Sequence, residues 1–528
     1  MLALELVVIL GVALVACNVL GERLRVAPAI LLLAAGALLG FVPALRRVQL
    51  PPEVVLLLFL PALLYWESIT TSLREIRKNL RGIVLSGTLL VIVTAAAVAL
   101  AGHALGLPWG AAWVLGAALA PTDATAVGEF ARSLPHRNLT ILRAESLVND
   151  GTALVLYGVA VGITTGGEHL SIPHISWLFV LAYGGGALSG ALVAAIVAPL
   201  RKRLDDALLS NVVILVTPFA AYLLAEEIDA SGVLAVVACG LIMSQLGPRV
   251  GRADARQQTE GFWTLSAFLL NGSLFALVGL ESQTAARGLS SVGLAKAAVM
   301  VAVAAVVLFV VRFAFLYVSA HVIRALDRRP QQLLRRVSNR ARLVSALAGF
   351  RGAVSLAVAL SVPVALDSGA PFPDRDTVVF VTFGVIVLTL VVQGLLLPRV
   401  VRWARLPQDT SIARELQLAD TLAAEEALAE LPRVAADLGT DPLVIDRLSR
   451  EYEKHLRILR ANGEETEDDA ALRYDQHYTA LRLALLARKR ATVLRLRDEH
   501  RIDDSVLLQV QRRLDLEELR LARRTSSD

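Results

Sequence analysis

The chain has 528 residues, of which 55% are hydrophobic and only 19% are charged, and its mean hydropathy is +0.61. This balance excludes an ordinary soluble domain and indicates a polytopic membrane protein. The charge is uneven, because the last 120 residues carry a net −5 and the preceding 408 carry +10. The basic isoelectric point therefore reflects loops at a membrane face, and nucleic acid is not expected as a partner. Cys17 and Cys239 both lie in apolar segments and indicate neither a disulfide framework nor a metal site.

Thirteen apolar segments are long enough to cross a bilayer as helices. They cover residues 3–20, 27–44, 51–69, 82–104, 109–131, 138–163, 174–199, 207–226, 230–246, 261–280, 290–320, 343–366 and 377–403. Counted together with Arg143, which lies near the start of the sixth segment, the odd-numbered connections carry 22 basic residues and the even-numbered connections carry four. The positive-inside rule then predicts an N-terminus outside and a C-terminus in the cytoplasm of a bacterial inner membrane.

The chain is predicted to have two domains, a transmembrane domain over residues 1–405 and a cytoplasmic helical tail over residues 406–528. In the tail, residues 416–431 and 475–501 carry apolar residues at three- and four-residue spacing, which predicts helices. Residues 461–469 are predicted to form a loop. No catalytic or phosphate-binding motif is found in the tail, so a solvated helical domain is the simplest interpretation, and a regulatory or dimer-supporting role is the alternative.

Two of the thirteen segments are interrupted. The fifth contains Ala120-Pro121-Thr122-Asp123, where proline removes a helix donor and disfavours helix at the preceding residue. The twelfth contains Gly349-Phe350-Arg351-Gly352, in which two glycines flank a charge. If the seventh segment is a linker, both breaks hold the fifth place in a set of six helices. Breaks at corresponding places indicate two inverted repeats, as in secondary transporters. We therefore predict an all-α fold of about 13 transmembrane helices with helices 5 and 12 broken.

The sixth segment carries an unusual group of polar residues. Glu145 and Asn149 are four residues apart, as are Ser146 and Asp150, so each pair shares a helix face. A carboxylate at the centre of a spanning helix costs about 2.5–3.5 kcal/mol on insertion scales. Two carboxylates in one helix therefore call for partners or for a function. We expect the four side chains to form one polar patch, which is the candidate site.

Asp150 is the central residue of this candidate site. Removal from water disfavours the charged form of a carboxylate, so Asp150 can hold a proton or, once deprotonated, bind a small hard cation through oxygen. Competition of this kind, combined with alternating access, is sufficient for cation–proton exchange. The alternative is a structural Asp150 that is permanently paired or neutral. Asn149 beside it is uncharged, so only one of these two neighbouring residues can ionise.

Further oxygen ligands are expected at the break in the fifth segment. Asp123 and the hydroxyl or carbonyl oxygen of Thr122 lie where half-helix ends can coordinate ions, and Ser146 can add a hydroxyl. Asp123 and Thr122 are therefore candidate cation ligands, in addition to Asp150. The alternative for Asp123 is a cap that accepts N–H groups from the second half-helix.

Four charged residues receive structural interpretations. Glu145 and Arg351 are each costly alone in a membrane, so we expect them to form an ion pair. Glu67, at the end of the third segment, is expected at the cytoplasmic interface. Arg312 is expected to extend its guanidinium toward water while its aliphatic part stays in the apolar region.

Taken together, Pro121-Thr122-Asp123, the stretch Glu145-Ser-Leu-Val-Asn149-Asp150-Gly151 and Gly349-Phe-Arg351-Gly352-Ala353 resemble the sodium/proton exchanger branch of the monovalent cation–proton antiporters. The resemblance covers about residues 1–405. It implies ion ligands at Asp150, Asp123, Thr122 and Ser146, and a stabilising pair of Glu145 with Arg351. It also implies a homodimer in which a six-helix core moves against a rigid dimerisation domain.

The resemblance further implies electroneutral exchange, since an Asn-Asp pair marks electroneutral members and a double Asp marks electrogenic ones. One departure is Ala124, where a proline commonly follows the Thr-Asp of the family. The expected function is sodium/proton antiport, with potassium or lithium as possible cations because the same oxygens serve all three. A cation channel and a membrane-embedded hydrolase are the other classes, and no nucleophile motif supports the hydrolase. No enzymatic activity and no cofactor are expected.

Overall fold

A computed structural model describes residues 2–24, 26–42, 55–124, 136–166, 172–250, 253–287, 291–326, 338–366, 368–406, 411–461, 469–499, 501 and 503–525. The chain divides into two compact units, Met1–Gln408 and Asp409–Asp528. All elements of regular structure in the described ranges are helices. The predicted all-α fold is therefore confirmed.

Sixteen α-helices are described in the first unit. They are α1 (Leu2–Leu24), α2 (Pro28–Leu39), α3 (Leu60–Thr70), α4 (Leu73–Val84), α5 (Val91–Ala104), α6 (Trp109–Leu119), α7 (His136–Thr165), α8 (Ile172–Val180), α9 (Gly186–Lys202), α10 (Ala207–Glu226), α11 (Gly232–Val250), α12 (Ala253–Arg287), α13 (Ser291–Leu326), α14 (Asn339–Leu347), α15 (Ala353–Leu360) and α16 (Arg375–Ala404). Short π-helical turns precede α3 (Val55–Phe59), connect α4 to α5 (Leu85–Leu90) and connect α8 to α9 (Leu181–Gly185).

These helices coincide with the apolar segments of the sequence. Eight described helical stretches are long and apolar enough to cross a membrane, and four shorter apolar helices, Pro28–Leu39, Leu57–Thr70, Trp109–Leu119 and Gly232–Gly247, accompany them. The chain is therefore a multi-pass membrane protein. The count of thirteen crossings, the inverted repeat and the orientation of the termini remain predictions.

Both predicted interruptions are visible in the backbone. Helix α6 ends at Leu119, and residues 120–123 are not helical. Helix α14 ends at Leu347, and α15 begins only at Ala353. Residues 125–131, the remainder of the predicted fifth segment, lie outside the described ranges. Since a helix break frees backbone N–H and C=O groups inside an apolar environment, each freed group needs a partner from another element.

The helices of the first unit pack mainly in two sets. In set 1, α2 packs on α12, α3 on α11, and α9 on α10 and α11. In set 2, α5 packs on α6, α6 on α7, and α13, α14 and α15 on α16. Small residues allow the closest approaches: a Cβ atom at Gly36 of α2 would lie 1.9 Å from the Ala276 carbonyl oxygen of α12. Helix α7 belongs to set 2 and also touches α3 and α11 of set 1, so it lies where the two sets meet.

The second unit consists of four helices: α17 (Ser411–Leu438), α18 (Pro442–Ala461), α19 (Asp469–Asp498) and α20 (Asp504–Thr525). Helix α17 packs on α18, and α19 packs on α20 through Leu486, Leu514 and Leu521. At the surface, hydrogen bonds to Glu518 and Asp515 raise the pKa of Arg490, which therefore stays charged. Both predicted tail helices coincide with described ones, which extend further toward the N-terminus, while residues 462–468 of the predicted loop lie outside the described ranges.

Candidate functional site

The two helix breaks meet in the interior of the first unit. The backbone N–H of Asp123 donates a hydrogen bond of 2.9 Å to the carbonyl oxygen of Phe350, so each break supplies a partner to the other. The contact is close: a Cβ atom at Gly352 would lie 1.7 Å from Asp123 Oδ2. Only glycine therefore fits at position 352 while the Asp123 carboxylate keeps its place.

Helix α7 supplies the other partners for the first break. The Ser146 hydroxyl donates to the Thr122 carbonyl oxygen at 2.8 Å and accepts from the Ala124 N–H at 3.3 Å. Asn149 Nδ2 donates to Thr122 Oγ1 at 2.7 Å. The polar residues of α7 thus fix the unwound segment, and the Thr122 hydroxyl is held by Asn149.

A first cavity opens beside this junction. Its polar lining consists of Glu67, Thr122, Asp123, Ser146, Asp150, Asn271 and Ser355. The structure therefore brings together the predicted ligands Asp150, Asp123, Thr122 and Ser146. Asp150 is only 4% exposed, and no described residue donates a hydrogen bond to its carboxylate.

Glu67, expected at the cytoplasmic interface, also belongs to this cavity. Its side chain lines the first cavity with Asp123 and Asp150, and its Oε1 atom is buried without a hydrogen-bond partner among the described residues. The signal was present, because Glu67 follows an uninterrupted apolar run of Leu60–Trp66. The argument from the cost of a carboxylate in lipid that singled out Asp150 applies equally to Glu67.

A second, smaller cavity contains the other half of the polar group. It is lined by Glu145, Asn149, Thr122, Arg312 and Arg351, among others. The expectation of a single patch on α7 is therefore wrong. Successive residues of a helix point about 100° apart. Ser146 and Asp150 therefore face the first cavity, while Glu145 and Asn149 face the second.

The predicted ion pair between Glu145 and Arg351 also needs correction. Glu145 Oε1 accepts a 2.6 Å hydrogen bond from Arg312 Nη1, and both side chains are buried. Arg312, 3% exposed, therefore does not reach toward water as expected. Its Nε atom also donates to the Ser345 carbonyl oxygen at 3.1 Å.

Arg351 lines the same cavity as Glu145, but it donates hydrogen bonds to backbone carbonyl oxygens. Its Nε atom donates to the Leu119 carbonyl oxygen at 3.0 Å, and its Nη1 atom donates to the Gly349 carbonyl oxygen at 2.5 Å. Leu119 ends α6 and Gly349 lies in the second break, so Arg351 binds carbonyls that both breaks free. This is the physical reason why Arg312 replaces Arg351 as the direct partner of Glu145.

Asn149, predicted as part of the ion site, lies in the second cavity. Its amide nitrogen binds Thr122, and its Oδ1 atom is buried without a hydrogen-bond partner in the described part of the chain. Its contact with the first cavity is thus indirect, through Thr122. Among the described residues, no three acidic, His or Cys side chains are close enough to bind a metal ion by themselves. A cation in the first cavity would therefore also need hydroxyl or carbonyl oxygens.

Comparison with known proteins agrees with this architecture. Residues 9–403 match the family model described as sodium/hydrogen exchanger, transmembrane. A protein of Mycobacterium tuberculosis (strain ATCC 25618 / H37Rv), named an uncharacterized Na(+)/H(+) exchanger, is 45% identical over 520 residues, which cover 98% of this chain and 96% of that protein. The Na(+)/H(+) antiporter ApNhaP of Aphanothece halophytica is 32% identical over 411 residues, covering 77% of this chain and 75% of the relative.

The fold has a counterpart among solved structures. The sodium proton antiporter MjNhaP1 from Methanocaldococcus jannaschii superposes with a TM-score of 0.58 at 20% identity, covering 76% of this chain and 99% of that one. At this identity the likeness speaks for the fold alone. The family model and the two relatives identify the sequence more directly, and on their strength this chain belongs to the sodium/hydrogen exchanger family.

Proposed function

We propose that the protein exchanges a monovalent cation, sodium in the first place, for a proton across a bacterial cell membrane. The observation that supports this most directly is the first cavity, where Asp123 and Asp150 meet the oxygens of Thr122 and Ser146 at the crossing of two broken helices. Carboxylate, hydroxyl and carbonyl oxygens are the ligands of hard cations. Family membership points to the same chemistry.

The exchange follows from the state of Asp150. Its carboxylate is buried and has no hydrogen-bond donor among the described residues, so its negative charge has to be balanced by something that comes and goes. A cation or a proton can do this, and occupancy by one excludes the other. If the site faces one side of the membrane at a time, binding a cation on one side and a proton on the other gives coupled exchange.

The finer features of the mechanism are part of this proposal. Helix set 2 carries both breaks and Asp150, and it moves against set 1 in an elevator-type cycle. Asn149, uncharged beside Asp150, supports electroneutral exchange of one cation for one proton. We further propose a homodimer, an N-terminus outside and a cytoplasmic C-terminus, the orientation that the distribution of basic residues favours.

Proton flux in proteoliposomes carrying a pH gradient tests the function. Sodium, lithium, potassium and choline are added in turn to wild type and to Asp150→Asn. Collapse of the gradient by sodium or lithium in the wild type alone supports sodium/proton antiport. Collapse by potassium alone identifies a potassium/proton antiporter that uses the same oxygens.

The alternative classes give different results in the same vesicles. Cation flux that is independent of the pH gradient and does not saturate would indicate a channel. No cation-dependent proton flux at all would refute the proposal. A separate experiment tests electroneutrality by imposing a membrane potential with valinomycin. A flux that changes with this potential would contradict one-for-one exchange.

A further inference from the structure

Two π-helical turns contact α7 close to Asp150. The turn Leu85–Leu90 lies in set 2 between α4 and α5, and the turn Leu181–Gly185 lies between α8 and α9. A π-turn interrupts the regular α-helical hydrogen-bond ladder, and such turns occur frequently at functional sites. Both turns reach α7 at Thr152, two residues after Asp150.

The hydrogen bonds of Thr152 have a defined direction. Its side chain is fully buried, and its hydroxyl lies 2.6 Å from the Gly87 carbonyl oxygen and 3.1 Å from the Val148 carbonyl oxygen. It also contacts the hydroxyl of Tyr183. A hydroxyl has one proton and carbonyls only accept, so the Thr152 proton goes to a carbonyl. Tyr183 must then donate to Thr152, which gives a chain from Tyr183 through Thr152 to Gly87.

This chain connects the two helix sets. Tyr183 is fixed to set 1, because the Ser231 N–H donates to the neighbouring Ala182 carbonyl oxygen at 3.4 Å and α9 packs on α10 and α11. Gly87 belongs to set 2. Apolar contact accompanies the bond, since a Cβ atom at Gly151 would lie 2.7 Å from Leu234 of α11. Neither Thr152 nor Tyr183 lines the first cavity.

We propose that the hydrogen bond from Tyr183 to Thr152 is a latch that holds the Asp150 helix in its present position against set 1. The proposal rests on the antiport function proposed above, because a moving site has to break this bond in every cycle. Thr152 and Tyr183 are thus positioning residues. They set the balance between the two positions of α7, and they leave cation affinity to the ligands in the first cavity.

The latch predicts how the balance responds to loss of one hydroxyl. A net hydrogen bond is worth about 0.5–1.5 kcal/mol, and 1.4 kcal/mol is a factor of ten, so the equilibrium between the two positions should shift roughly 2- to 12-fold. Tyr183→Phe and Thr152→Val remove the bond with little change of shape. Thr152→Ser keeps the hydroxyl. Tyr157→Phe is the matched control, because the Tyr157 hydroxyl bonds to Ser361 within set 2 at 3.1 Å.

Cysteine labelling measures this balance without transport. Leu63, which lines the first cavity, is replaced by cysteine in a background without Cys17 and Cys239, and a membrane-impermeant maleimide is applied to either face of oriented vesicles. The ratio of the two labelling rates should shift roughly 2- to 12-fold in Tyr183→Phe and Thr152→Val. It should stay at the parent value in Thr152→Ser and Tyr157→Phe. An unchanged ratio in the first two variants, or an equal shift in Tyr157→Phe, would overturn the latch.

Transport supplies the second readout. In proteoliposomes, Tyr183→Phe should change the maximal exchange rate, while the half-saturating sodium concentration moves by no more than the roughly 2- to 12-fold change in the balance between the two positions. A changed half-saturating concentration at an unchanged maximal rate would instead make Tyr183 part of the ion site and overturn the proposal. If wild type shows no exchange, the proposed function fails, and the labelling ratio alone still supports or overturns the latch.

Discussion

Replacing Gly352 by alanine tests whether the crossing of the two breaks sets the geometry of the site. The backbone at Gly352 has φ −135° and ψ −153°, a region open to any residue, so alanine is not excluded by its own backbone. The obstacle is Asp123, whose Oδ2 atom would lie 1.7 Å from the new Cβ. Ordinary contact begins near 3.4 Å, so the carboxylate has to retreat by roughly 1.7 Å.

The cost of this retreat can be bounded. Forcing an extra methyl group into a packed site costs about 1–3 kcal/mol, and a displacement of about 1 Å at a reacting group can cost roughly 100-fold in rate. We therefore expect Gly352→Ala to lower sodium-dependent proton flux by about 10- to 100-fold while the protein stays folded. The flux is measured in proteoliposomes, and folding is followed by thermal unfolding of the purified protein in detergent.

Gly158→Ala is the matched control. Gly158 lies on α7, the same helix as Asp150, and an added Cβ there meets nothing within 4 Å. Its exchange rate should equal that of the wild type. Wild-type flux in Gly352→Ala, with an unchanged half-saturating sodium concentration, would show that the position of Asp123 does not matter for exchange.

Three further outcomes follow from the two cavities. Glu145→Gln leaves Arg312 buried without its carboxylate partner, so we expect about 3–5 kcal/mol of destabilisation, seen as a lower melting temperature. Replacing both residues by apolar ones should recover most of this stability. An unchanged melting temperature in Glu145→Gln would refute the pairing. Because protons and cations compete for Asp150, the half-saturating sodium concentration should fall as pH rises; a pH-independent value would refute competition. At alkaline pH, where Glu67 is ionised, Glu67→Gln removes one charge from the first cavity. It should then raise that concentration about threefold to tenfold, since one charge pair is worth roughly 1 kcal/mol or more there. An unaltered value would place Glu67 outside the ion's reach.

The breaks, the helices and the ligand group could be predicted from local sequence. Proline and paired glycines act on the backbone where they stand, and four-residue spacing places Ser146 and Asp150 on one face in any helix. The proline places Asp123 at a half-helix end, whereas its grouping with Asp150 in one site was implied by the resemblance to the exchanger family. For these features, the residues that determine the local structure lie within the same short stretch of sequence as that structure.

The partner of each buried charge could not be predicted in this way. Arg312 and Glu145 are 167 residues apart, and the choice between Arg312 and Arg351 depends on where the freed carbonyls of Leu119 and Gly349 end up. That arrangement is a property of the packed helices. Glu67 was missed for a related reason, because its location at the end of a segment suggested an interface, whereas α3 packs against α11 and α12 so that this end faces the first cavity.

The two carboxylates of α7 show how the fold separates a fixed charge from an exchangeable one. Glu145 and Asp150 lie within two turns of the same helix, and both are buried. Glu145 has a permanent counterion in Arg312 at 2.6 Å, so its charge is already balanced and has no need of a transported ion. Asp150 faces a cavity with other acids and has no hydrogen-bond donor among the described residues, so in the proposed exchange its charge is balanced by the ion that enters the cavity. Under that proposal, the angular offset between the two pairs of α7 residues, with Thr122 bound between them, gives Glu145 a structural role and leaves Asp150 available for exchange.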